Sequence, residues 1–130
     1  MTEYDGRVRI IFKDFPLGSH DFARPAAEAA RCAGELGQYW PYHDRLFERQ
    51  PAFEREQLIQ YATELGLARE PFVRCLDERR FAAAVQRDVE QARALGVRST
   101  PTFVVNGRVL IGNHPVETFR EVIDEELRRP

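Results

Sequence analysis

The stretch from Gly96 to Gly107, read as GVRSTPTFVVNG, constrains the fold more than any other part of the chain. Gly96 follows a long helical pattern and reads as a helix stop. Thr100-Pro101 stands at the entrance of Thr102–Val105, whose β-branched and aromatic residues predict a strand. Asn106-Gly107 is the strongest short hairpin signal, because both central residues of a type I′ turn need positive φ. Arg108-Val109-Leu110-Ile111 then supplies the return strand. A proline before a strand is ordinarily trans, since only about 5% of X–Pro bonds are cis. The local sequence therefore leaves the Pro101 isomer open.

A length of 130 residues predicts one domain. Hydrophobic residues make up 43% and charged residues 31%, the balance of a globular chain. The net charge is −2 with both signs interleaved, so nothing suggests a nucleic-acid-binding face. No apolar run approaches the roughly 20 residues of a membrane span. Met1–Asp5 has neither a basic start nor an apolar stretch, so no signal peptide is expected. His20, His43 and His114 show no paired spacing, so neither a metal site nor any other cofactor is expected. Ser19 and Ser99 lack nucleophile-elbow glycines, which argues against a hydrolase. The two cysteines, Cys32 and Cys75, lie far apart and form no CxxC. Both sit in apolar helical patterns and read first as buried, inert thiols. A Cys32–Cys75 bridge is the lesser alternative, since it needs Cα atoms within about 7 Å.

Along the chain, Arg7–Phe12 reads as a strand apolar enough to be covered on both faces. Helices are predicted over about 21–36, 39–49, 54–65, from Pro71, over 81–95 and over 115–128. On the second helix Trp40, His43, Leu46 and Phe47 share a face, read as core. Strand, helices, hairpin, helix argues an α/β fold with helices covering a small sheet.

The spaced residues Val8-Arg9-Ile10-Ile11-Phe12-Lys13-Asp14-Phe15-Pro16-Leu17, His20, Ala26-Ala27, Cys32-Ala33, Tyr39-Trp40, His43-Asp44, Leu46-Phe47, Gly96-Val97, Thr100-Pro101-Thr102-Phe103 and Val105-Asn106-Gly107 resemble the DsbA-like thioredoxin-fold disulfide oxidoreductases. The resemblance covers nearly the whole chain. It implies one thioredoxin-like domain over 1–130 with an all-helical insertion over 20–95. It also implies a cis proline at 101, with Ser99, Thr100 and Pro101 offering backbone to an extended substrate strand. Protein or peptide thiols and disulfides would be the partners, with no nucleic acid and no membrane.

The family's CxxC and first strand precede the segment matched by Val8–Leu17, and only Met1–Gly6 stands before it here. The chain is therefore read as N-terminally incomplete, with a truncated core sheet and no catalytic residue of its own. Exchange needs an exposed thiolate and a resolving partner, which Cys32 and Cys75 cannot supply at their spacing. The resemblance implies a thiol–disulfide oxidoreductase, inactive in this form; the alternative is a non-catalytic peptide-binding or assembly module. Without the central strand, two strands lose a partner, so a homodimer covering the open edges is expected. Closure into a three-stranded sheet is the alternative. The compartment is not readable from these residues.

Overall fold

The structure is a computed structural model that describes residues 2–130. Six helices, α1 (Ala23–Glu35), α2 (Tyr39–Glu48), α3 (Arg55–Glu64), α4 (Arg69–Asp77), α5 (Ala82–Ala94) and α6 (Val116–Arg128), accompany β1 (Thr102–Val105) and β2 (Arg108–Ile111). They fall into two compact units: Asp14–Gln91, and residues 2–13 with Ala92–Pro130.

The helical unit is built around α1. Its alanines are strong helix formers, and Pro25 lies in the first turn, where backbone N–H groups have no helical acceptor. Ala29 and Ala33 are completely buried, and their small side chains let α2, α3 and α4 pack closely on α1. Tyr42 of α2 is also fully buried; its hydroxyl donates to the Leu58 carbonyl at 2.8 Å, and its ring lies 5.6 Å from Phe72. Tyr61 of α3 donates to the Ala52 carbonyl at 2.6 Å. Each ring thus buries apolar area while its polar tip is satisfied.

Two expectations fail in this unit. Cys32 of α1 and Cys75 of α4 are not separate thiols but a disulfide, with Cα atoms 5.9 Å apart. A separation of 43 residues carries no distance information, and the packing of α4 on α1 supplies it. The face chosen for α2 is also wrong. Leu46 is buried, but Trp40 and Phe47 are exposed, and the core-facing ring is Tyr42. Trp40, His43 and Phe47 instead stack along the helix, with centroids 5.1 and 4.8 Å apart.

In the second unit β1 and β2 form an antiparallel hairpin, with Thr102 opposite Ile111 and Val105 opposite Arg108. Asn106 (φ +49°) and Gly107 (φ +91°) both take left-handed backbone, as a type I′ turn requires. One face rests on α6: Phe103 meets Phe119 edge-on at 4.7 Å. The opposite face carries Val104, Val109 and Ile111, all exposed. A 3₁₀ turn at Thr2–Tyr4 is tied to α6, where the Tyr4 hydroxyl donates to Asp124 at 2.9 Å and Arg120 pairs with Glu3 at 3.0 Å.

Arg7–Phe12, expected as a strand covered on both faces, is neither. It is irregular, and Ile10, Ile11 and Phe12 are exposed. A strand exists only through its ladder, and among the described residues the sheet has two strands, β1 and β2. No described helix is long and apolar enough to cross a membrane.

Candidate functional site

The Ser99–Pro101 loop follows directly from the way α5 ends. Gly96 (φ +83°) closes that helix: its N–H donates to the Arg93 carbonyl at 3.0 Å, and the Val97 N–H donates to the Ala92 carbonyl at 3.0 Å. That pair of bonds satisfies two terminal carbonyls and turns the chain away from the axis. Ser99, Thr100 and Pro101 are all exposed. The Thr100–Pro101 peptide is cis, as is Gln50–Pro51 in the turn between α2 and α3.

The loop is held from both sides. Thr102 Oγ1 donates to the Ser99 carbonyl at 2.7 Å, and the Gly112 N–H donates to the Pro101 carbonyl at 2.8 Å, extending the hairpin ladder by one bond. Among the described residues, no backbone group engages the N–H or C=O of Thr100. The loop therefore presents main-chain polar groups at the end of a strand, the requirement for adding an extended segment by backbone pairing.

A second constellation lies inside the helical unit, and sequence reasoning missed it. Arg31 Nε donates to Asp14 Oδ2 at 2.7 Å, and Arg31 Nη2 donates to Asp88 Oδ2 at 2.6 Å. The same Asp88 oxygen accepts the Asp14 backbone N–H at 2.9 Å. Asp14 and Asp88 are 5% and 8% exposed, so one guanidinium serves two buried carboxylates. Burial holds the Asp14 carboxyl above its ordinary range; the Asp88 charge adds to this and Arg31 opposes it. Tyr39 is likewise pushed up, chiefly by burial and then by the Asp14 charge.

The histidines do not converge. His43 Nδ1 lies 3.0 Å from Asp44, and the His114 Nε2–H donates to the Ile111 carbonyl at 2.8 Å. Among the described residues no group of three metal-capable side chains is assembled. The disulfide is no exchange centre as it stands, because Cys32 and Cys75 are each 1% exposed.

Residues 1–125 match the family described as Thioredoxin. The chain belongs to the thioredoxin family. Among solved structures, a thioredoxin-like oxidoreductase from Silicibacter pomeroyi DSS-3 superposes with a TM-score of 0.86 at 23% identity, covering 98% of this chain and 73% of that one. The thiol-disulfide exchange protein alpha-DsbA2 from Wolbachia pipientis gives 0.83 at 21% identity, covering 94% and 67%. At that identity the likeness shows the thioredoxin-like fold. Of curated relatives, a Na(+)/H(+) antiporter NhaA from Herminiimonas arsenicoxydans is 40% identical over 121 residues, 93% of this chain and 19% of that protein. Disulfide bond formation protein D from Bacillus subtilis is 29% identical over 98 residues, 69% of this chain and 43% of that protein. This thioredoxin-family chain thus spans between about a fifth and under half the length of these two relatives.

Proposed function

We propose that this chain is the substrate-receiving portion of a protein thiol–disulfide oxidoreductase, inactive in dithiol exchange by itself. An extended protein segment would pair with the backbone of Ser99 and Thr100 beside Pro101, and a CxxC outside these residues would supply the chemistry. The observation that carries this reading is the exposed loop, pinned by Thr102 and Gly112 while, among the described residues, no backbone group engages the Thr100 N–H or C=O. The names of the exchange protein from Wolbachia and of disulfide bond formation protein D support the substrate class, protein thiols and disulfides. Residues 20–95 serve in this reading as an all-helical insertion in a thioredoxin-like domain over 1–130. Sodium–proton exchange is not carried over, because the match covers only 19% of the antiporter.

A second reading, a non-catalytic binding or assembly module, is favoured by the state of the cysteines. Both are bonded and buried, leaving this chain no reactive thiol of its own. In both readings the bare hairpin face, Val104, Val109 and Ile111, becomes a contact between two copies.

The test is an amide NMR titration with an extended cysteine-containing peptide. Shifts should concentrate between Val97 and Phe103 and weaken in Thr100→Pro, which removes one backbone donor. Shifts elsewhere, or unchanged by that substitution, would overturn the loop assignment. Insulin reduction should stay at background; turnover above it would overturn the claim of inactivity.

A further inference from the structure

Neither reading above accounts for how the disulfide is made. Cys32 and Cys75 join α1 to α4 inside a buried cluster that also holds Ala29, Ala33, Tyr42, Leu58 and Phe72. Each cysteine is 1% exposed, so neither sulfur is open to a protein-sized oxidant once α4 has docked on α1. We infer that this chain is itself a substrate of protein disulfide formation, and that a disulfide-bearing oxidant installs the Cys32–Cys75 bond before the helical unit closes.

The chemistry requires that order. One cysteine, as thiolate, attacks a disulfide of the oxidant; a mixed disulfide forms and one oxidant thiolate leaves. The second cysteine thiolate then attacks the mixed disulfide, forming Cys32–Cys75 and releasing the other oxidant thiolate. Two protein thiols lose two electrons and two protons, and the oxidant's disulfide becomes a dithiol. Each attack needs a sulfur reachable in line, which the folded unit denies and the open chain allows. The reacting class is thus a protein or small-molecule disulfide in a compartment where disulfides persist. The bond is a staple fixed during folding, not a pair that cycles in the folded protein.

The experiment counts thiols. Protein recovered from an oxidising compartment is unfolded in denaturant and treated with a thiol-specific maleimide, using Cys32→Ala/Cys75→Ala as the zero point. No label should be taken up; two labels per chain would overturn the inference. Reduced protein is then mixed with oxidised glutathione, folded in buffer or open in denaturant. The open chain should oxidise faster by about tenfold or more. Equal rates for the open and the demonstrably folded chain would overturn the proposed order. If the reduced chain shows no helical signal in buffer, bond formation is coupled to folding and the inference stands. The readout is independent of peptide binding, so its failure and that of the loop reading can be told apart.

Discussion

Arg79 Nη2 lies 2.9 Å from Glu28 Oε2 and links an exposed cation to a carboxylate that is only 5% exposed. Arg79 holds left-handed backbone, φ +48°, just beyond α4, where its N–H donates to the Leu76 carbonyl at 3.1 Å. A helix end of this kind usually carries glycine. The arginine is accounted for by Glu28, which would otherwise sit buried without this cation. Arg79→Ala should cost about 1 kcal/mol, after allowing for solvent screening at the exposed end. Arg79→Gly loses the same pair but relieves the backbone, and should be milder by about 1 kcal/mol. Urea unfolding of both variants checks the order; equal midpoints would contradict it.

The Cys32–Cys75 bond closes a loop of 43 residues. In the chain-entropy treatment such a closure stabilises by about 4 kcal/mol. Cys32→Ala/Cys75→Ala should therefore unfold at a clearly lower denaturant concentration than the oxidised protein. A shift smaller than about 1 kcal/mol would mean that the open chain gains little freedom from losing the bond.

Arg31 should be more costly to replace than Arg79. Arg31→Ala leaves Asp14 and Asp88 buried without their shared cation, a loss of about 3 kcal/mol near neutral pH. The pH dependence has a definite sign. The folded-state pKa of Asp14 lies above its ordinary value of 3.8, so the folded protein binds that proton more tightly than the unfolded chain. Its contribution to stability is fully present below 3.8 and is lost as pH rises through the folded value. Compared with Asp14→Asn, the parent protein should therefore gain stability on acidification toward pH 3.8. Arg31→Ala should recover part of its deficit over the same interval. Denaturant midpoints measured between neutral pH and that value decide it; a flat difference between parent and Asp14→Asn would contradict the shift.

The bare hairpin face makes a separable prediction. Val109→Lys with Ile111→Lys changes exposed side chains on the face turned away from Phe119. Stability should change by less than about 0.5 kcal/mol for each surface substitution. Sedimentation should move from dimer to monomer. A parent protein that is already monomeric at high concentration would remove the proposed contact.

What the chain revealed in advance was what its local residues dictate. The Asn106-Gly107 turn and the Gly96 stop follow from backbone φ alone, and helix ends lie close to where glycines and prolines placed them. The segment Arg7–Phe12 was misread because its apolar pattern describes a strand, but pairing needs a neighbour that composition does not name. Trp40 and Phe47 were placed inward by hydrophobicity, while Tyr42 and Tyr61 took the buried positions because nearby carbonyls accept their hydroxyls. The Asp14–Arg31–Asp88 cluster joins residues 57 and 74 apart, beyond any local pattern. Ser99–Pro101 was named by family likeness, not by a signature of its own, and its binding role rests on the titration above.

Because Cys32 and Cys75 bracket α2 and α3 completely, the turn between those helices can be cut without setting a fragment free. Trypsin acting after exposed Arg49 would leave two polypeptides that migrate as one species on a non-reducing gel and part only when a reductant is added. A single nick there would be silent in a non-reducing separation by size, and the surface between α2 and α3 could be lengthened or opened while its flanks stay covalently joined.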